Sequence, residues 1–246
     1  MKKHNLILVL ISFSLFITSC NKDDDDDNTE VQNQEITLTD ADGNIYQTVT
    51  MGNQVWMAEN LKTTTFNDGN PITEYRHTNP NQSNFDWVDP NNPQELFQWA
   101  STEDLNNIYP EDLPIDFYGA HYNQEAIQSG KLSIEGWRLP TRQDFEELIN
   151  FLGSEGHMGN EATVLKSTEG WVLENGTDLY GFTVRPAGNT IIPGTPDFPE
   201  LIARLCTSDI NSVSNERTVV AFLQNGEISF EESDIRNGFS IRYIKE

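Results

Sequence analysis

Alternation of apolar and polar residues with a period of two, punctuated by tight-turn dipeptides, is the feature that most restricts this chain. In Glu35-Ile36-Thr37-Leu38-Thr39-Asp40 and in Ile45-Tyr46-Gln47-Thr48-Val49-Thr50-Met51 the pattern offers one apolar face to a core, and Asp42-Gly43 between them fits a hairpin turn. Thr218 to Leu223 and Glu227 to Phe230 repeat the arrangement around Asn225-Gly226, a pair that favours a type I′ turn. Gly238-Phe239-Ser240-Ile241-Arg242-Tyr243-Ile244 supplies a last alternating strand.

One helix is well specified between these ends. Thr141 caps it after Pro140, Asp144 stands at the capping-box distance, and Phe145, Leu148, Ile149 and Leu152 form an apolar stripe that stops at Gly153. Its acids fall in the first turns, where they complement the helix dipole, so Glu146-Glu147 reads as a solvated pair rather than a catalytic dyad. A shorter helix is expected over Asn123 to Gln128. The expectation is an α+β fold, mixed and strand-rich with few helices, in a single domain over 36–246.

The first 35 residues are not expected to contribute to that domain. A cationic start, Met1-Lys2-Lys3-His4, precedes an apolar run from Leu6 to Ile17 that is shorter than the ~20 residues needed to span a bilayer. Ile17-Thr18-Ser19-Cys20 resembles the bacterial lipobox, which implies a lipoprotein signal peptide over 1–19, cleavage before Cys20 and palmitate-type lipid on that cysteine. Each buried lipid methylene contributes ~0.8 kcal/mol to a membrane anchor. Asn21-Lys22-Asp23-Asp24-Asp25-Asp26-Asp27 follows, and its adjacent carboxylates repel one another, so 20–35 reads as a solvated tether. This acidic run also resembles the export signal of Bacteroidetes lipoproteins shown on the outer face of the outer membrane; a periplasm-facing anchor is the competing reading.

Charge narrows the partners. With 39 acids against 15 bases the formal charge is −24, which disfavours nucleic acid and anionic lipid surfaces and leaves neutral polymers and cations open. Of two cysteines, lipid on Cys20 leaves Cys206 alone, so an exported domain here must be held by its core.

Between Thr78 and Phe117 the sequence turns to Asn, Asp and Pro with aromatics interspersed, a long stretch of loop character. Trp87, Trp99 and Tyr109, with Asp86, Asp89 and Asn91 beside them, are candidates for stacking on sugar rings and bonding their hydroxyls. Packing of the loop onto the domain is the competing and favoured reading of these aromatics, and Trp56 and Trp137 read as core.

Asp42-Gly43-Asn44-Ile45-Tyr46, Gly52-Asn53-Gln54-Val55-Trp56-Met57-Ala58-Glu59-Asn60-Leu61, Tyr118-Gly119-Ala120-His121-Tyr122-Asn123, Gly136-Trp137-Arg138-Leu139-Pro140-Thr141, Gly181-Phe182-Thr183-Val184-Arg185-Pro186-Ala187-Gly188 and Gly238 to Tyr243 follow one another in a distinctive order. Together they resemble the Fibrobacter succinogenes major paralogous domain, a family of exported and lipid-anchored bacterial proteins. The resemblance covers nearly all of 36–246. Tyr243 stands where that family commonly has a cysteine, and Arg204-Leu205 where it has an aromatic pair, so a disulfide of the wider family is not implied here. The entry Arg138-Leu139-Pro140-Thr141 is also similar to the C-type lectin-like fold of formylglycine-generating enzymes, which implies a fold and no activity.

No catalytic set stands out. Asp40-Ala41-Asp42-Gly43-Asn44 alternates oxygen ligands as a calcium loop does but lacks the later acid, and a turn explains it equally. His4, His77, His121 and His157 have no zinc spacing, and no Gly-x-Ser-x-Gly elbow is present. A glycosidase needs only two carboxylates, and among so many acids no pair can be named. The leading expectation is a surface-displayed, noncatalytic binding or adhesion module for glycans, without a cofactor; the alternatives are a component of a surface protein assembly and an exported hydrolase. Replacing the anchor residue, Cys20→Ala, is expected to abolish incorporation of radioactive palmitate, and labelling that survives it would refute the lipobox reading.

Overall fold

The computed structural model describes residues 37–76, 87–101, 113–192, 194–197, 199–223 and 225–246; Cys20, the acidic tether, Asp86 and Tyr109 lie outside them. The first turn is organised by Asp40. Its Oδ1 accepts the backbone N–H groups of Asp42 and Asn44 at 3.0 and 2.9 Å, and its Oδ2 accepts the Asn44 amide at 2.8 Å and the Tyr46 hydroxyl at 2.5 Å. Gly43 takes φ +83° there, and Leu38–Thr39 pairs with Ile45–Tyr46 as the alternation demands. Asp42 is engaged elsewhere: it accepts from the Thr64 N–H at 2.5 Å and the Thr64 hydroxyl at 2.9 Å.

The second alternating run does not remain one strand. Beyond Gln47, Thr48–Met51 joins a different sheet by turning at Gly52 (φ +60°) into Gln54–Met57. A four-stranded antiparallel sheet results, in the order Thr48–Met51, Gln54–Met57, Ile244–Lys245, Trp137–Arg138. A seven-stranded sheet runs Ile228–Asp234, Glu216–Leu223, Ile202–Asn211, Phe239–Ser240, Ala120–Tyr122, Leu96–Trp99, Thr73–Glu74. Its pairs are antiparallel except Ile202–Asn211 with Phe239–Ser240 and Thr73–Glu74 with Leu96–Trp99. The architecture is the strand-rich α+β one that the sequence indicates, with three short-to-medium α-helices among the described residues. None of the described helices is long and apolar enough to cross a membrane.

Two turn expectations are corrected. The Leu223 N–H donates to Glu227 O at 2.9 Å, so the second hairpin closes through the three positions 224–226 rather than a two-residue type I′ turn, with Gly226 at φ +84°. The closing segment is likewise not one strand. Phe239–Ser240 belongs to the seven-stranded sheet and Ile244–Lys245 to the four-stranded one, and everything from Gly238 to Ile244 is buried.

The larger sheet is covered on both faces. Cys206, Val219 and Phe239 face a core with Tyr46, Met57, Leu61, Phe97, Tyr122, Trp137 and Tyr243. Leu205, Val220 and Phe222 face a second core with Trp56, Phe145, Leu148, Leu152, Trp171 and Phe182. Trp56 is the hub of the second, with Phe145 at 4.9 Å and Phe182 edge-on at 5.8 Å between ring centres. Truncating a side chain of that size in a filled core costs about 3–5 kcal/mol.

The helix Arg142–Leu152 brings Phe145, Leu148 and Leu152 to that core, with Thr141 capping and Asp144 completing the box. Burial alone would raise the Asp144 carboxyl; the Arg138 guanidinium, bidentate at 2.6 and 2.8 Å, and the Thr141 N–H and hydroxyl outweigh it and hold it below the usual carboxylate range. Glu146 pairs with Arg142 and Glu147 with Gln143 on the solvent side. Gly153 does not stop the helix. Its φ of −60° is helical, and a π turn over Gly153–His157 follows, broken at Gly156 with φ +92°.

His121 lies on an interior strand of the seven-stranded sheet, opposite Gln98 on one side and Ser240 on the other. Its Nδ1 is 3.0 Å from the Thr190 hydroxyl, and burial pushes the imidazole down to about 3. An unfolded histidine near 6.5 takes up its proton first, so this group contributes stability that is complete above about pH 6.5 and declines by ~1.4 kcal/mol per pH unit as pH falls towards 3. The His121 ring resonances in NMR are therefore expected to keep neutral-imidazole shifts down to about pH 4 while global stability falls; titration of that ring near 6.5 would contradict its burial.

Candidate functional site

A cavity of about 210 Å³ is lined by Glu59, Asn60, Lys62, Pro114, Asp116, Phe117, Tyr118, Gly119, Thr183, Arg185 and Arg242. Four segments far apart in sequence meet there. The stretch 59–62 arrives from the four-stranded sheet and is held by the Leu61 N–H to Ile241 O at 2.9 Å and the Lys62 N–H to the Tyr46 hydroxyl at 3.0 Å. Residues 116–119 lie against it: Ala120 N–H reaches Leu61 O at 3.0 Å, and the Asn60 amide donates to Tyr118 O at 2.9 Å. Gly119 is required by that approach. At φ +81°, a Cβ on it would stand 2.7 Å from Asn60 Cβ.

Arg242 forms the floor. It is 1% exposed, and its guanidinium lies 4.6 Å from the Phe182 ring centre. Nε donates to Asn60 Oδ1 at 2.8 Å, one terminal nitrogen to Phe182 O and the other to Thr183 O at 2.8 Å. Burial, and then the positive charge of Arg185, push it down to about 9, so it is still a cation at neutral pH. Thr183 accepts this bond from a left-handed backbone, φ +47°, an outlier for a β-branched residue. Asp178 holds it there by accepting the Thr183 N–H and hydroxyl, both at 2.7 Å.

Arg185 stands beside it in the wall. Its guanidinium packs 4.4 Å from the Phe117 ring centre and donates to Phe117 O at 3.3 Å. Among the described residues neither Arg185 nor Arg242 has a carboxylate ion pair, and Glu59, half-buried in the same cavity, accepts no hydrogen bond. Asp116 is tied to Lys62 at 2.8 Å, and that lysine holds its carboxyl below the usual range. The general acid of a glycosidase is shifted the other way, so Asp116 as held here is not poised to donate a proton.

The aromatic candidates are placed elsewhere. Trp87 is 1% exposed; its indole N–H donates to Arg236 O at 3.1 Å, Tyr75 lies edge-on at 5.5 Å, and Gly238 packs so closely that a Cβ on it would be 2.3 Å from the indole ring. It anchors its segment to the closing strand and has no face left for a sugar. Trp99 is half-buried against Phe97, with 5.3 Å between ring centres. Asp89 accepts the N–H groups of Asn91 and Asn92 in a local turn, and Asn91 is exposed. These residues line no part of the cavity.

Nor does the chain bring a metal set together among the described residues. Cys206 is buried and free, with its thiol pushed up by burial, so it packs as an apolar side chain. The cavity's arginines left a sequence trace of their own. Gly-Phe-Thr-Val-Arg at 181–185 and Gly-Phe-Ser-Ile-Arg at 238–242 are two copies of one pattern, and both end at this cavity.

Replacing the floor by Arg242→Lys keeps the charge but cannot reach Asn60, Phe182 and Thr183 at once. A loss of about 3 kcal/mol in urea unfolding is expected, because buried acceptors lose their donors; the same change at the solvent-side Arg142 is expected to leave the midpoint unmoved.

The sequence profile of the Fibrobacter succinogenes major domain matches residues 49–245. No curated protein and no solved structure matches the chain. The matched span takes in all four segments around the cavity and both large core clusters beyond the first hairpin, and on that match the chain belongs to the Fibrobacter succinogenes major domain family.

Proposed function

We propose that this protein is a lipid-anchored, surface-displayed binding module, noncatalytic, that takes a glycan in the cavity between 59–62, 116–119 and Thr183–Arg185. The observation that carries the reading is the convergence of four distant motif segments on one polar cavity with unpaired charge in its walls. Packing alone gives no reason to leave a half-buried guanidinium and a half-buried carboxylate in the same space without an ion pair, since charges taken out of water are normally paired. A bound ligand supplies those partners. The volume is below the roughly 300–1,000 Å³ of pockets that enclose drug-sized ligands, which suits one unit of a longer chain whose remainder stays in solvent. Lipid on Cys20 and the acidic tether support display away from a membrane.

A second reading, a component of a surface protein assembly, draws on a different surface. Met158 is 81% and Leu179 60% exposed, next to His157 and Tyr180, whose rings stand edge-on at 5.8 Å. Such an apolar group fits a protein partner. The detergent-solubilised full-length protein, screened against neutral and acidic polysaccharides with and without a calcium chelator, is expected to bind saturably and independently of calcium. Glu59→Gln is expected to weaken that binding roughly tenfold, the effect of losing one charge-assisted hydrogen bond. Hydrolysis of any bound polymer, lost in Glu59→Gln, would instead favour an exported hydrolase.

A further inference from the structure

We propose that the cavity receives the carboxylate of a single acidic sugar at the end of an otherwise neutral glycan, with Arg185 as the residue that takes it. The proposal rests on the glycan reading above and names the ligand class of that site.

Its starting point is where the cations went. In a chain with 39 acids and 15 bases, a surface arginine has an abundant choice of partners. Arg76, Arg138, Arg142, Arg204 and Arg236 each pair with a carboxylate, as do Lys62 and Lys131. Arg185 and Arg242 are two exceptions, and they share one cavity. Arg217 is a third arginine without a carboxylate partner among the described residues, but it is sealed in the core against Thr207 O and Gln124 Oε1. The two guanidiniums at the cavity also repel each other, which is one reason Arg242 is pushed down. An anion between them removes that repulsion.

Arg185 is set up for a planar anion. Packing against the Phe117 ring and one bond to Phe117 O hold the guanidinium in place, and the rest of its fork has no partner among the described residues. A fixed fork with free N–H groups matches a carboxylate in a bidentate arrangement. The acids in the walls set the limit on charge. Glu59 and Asp116 would repel a phosphate dianion, whereas Glu59 accepts well from sugar hydroxyls. With 39 acids against 15 bases, further charged units of a polyanion would lie against an acid-rich surface and be repelled by whichever carboxylates fall within the ~8 Å screening length at physiological salt. One acidic unit on a neutral chain satisfies both constraints.

The test uses the detergent-solubilised full-length protein and three probes: methyl β-glucuronide, methyl β-glucoside and inorganic phosphate, titrated by calorimetry and by saturation-transfer NMR. The glucuronide is expected to bind at least tenfold more tightly than the glucoside, a comparison that needs no variant. Arg185→Gln is expected to abolish that preference, and Arg185→Lys to keep part of it, with near-UV circular dichroism reporting the fold. Equal binding of the two sugars would overturn the acidic-sugar inference and leave the glycan module standing. Phosphate that binds as tightly as the glucuronide and displaces it would overturn the inference in favour of a simple anion site. Binding of neither sugar would overturn both readings.

Discussion

The buried guanidinium of Arg242 is the constraint around which the rest is arranged. A cation removed from water is tolerable only where each of its nitrogens meets an acceptor of good geometry. Here they are two main-chain carbonyls and one side-chain amide, with no carboxylate, so compensation depends entirely on where those oxygens are held. Asn60 is fixed by bonds to Tyr118 O and the Ser240 hydroxyl, and Thr183 by Asp178 in a backbone conformation that costs of order 1–3 kcal/mol. Segments separated by more than a hundred residues are thereby brought into register around one side chain, and the cavity is the space left above it.

Local signals were the legible part of this sequence. The capping box at Thr141 and Asp144, the Asp42-Gly43 turn, the core roles of Trp56 and Trp137 and the α+β class all depend on residues near one another, and each appears as read. What failed depends on partners. Period-two alternation shows that Ile45 to Met51 and Gly238 to Ile244 are extended, but a strand is divided by whichever sheet its neighbours belong to, and alternation carries no information on that. Ile202–Asn211, the longest strand, escaped notice because its apolar residues do not alternate cleanly: Leu205, Cys206 and Thr207 are buried in succession, and the register shifts between Cys206 and Ile210.

The candidate site was hidden for a related reason. Its charged residues sit at 59, 62, 116, 185 and 242, each isolated in sequence, while the loop aromatics form a conspicuous local cluster. Composition drew attention to Trp87, yet the close approach of Gly238 shows that this indole is spent on attaching its segment to the closing strand. Repetition of Gly-Phe-Thr/Ser-Val/Ile-Arg was the better guide, because one short pattern used twice delivers an arginine to the same cavity from two segments far apart in the chain.

The passage of the closing segment through both sheets bears on how the chain reaches this state. Phe239–Ser240 lies between Ile202–Asn211 and Ala120–Tyr122, and Ile244–Lys245 between Gln54–Met57 and Trp137–Arg138, so in each sheet this one segment is interior, not edge. Until that segment docks, Ile202–Asn211, Ala120–Tyr122 and Gln54–Met57 are paired on one side only, and Trp137–Arg138 has no strand beside it. Both sheets therefore lack an interior strand until residues 239–245 dock, so their completion is coupled through one long-range step.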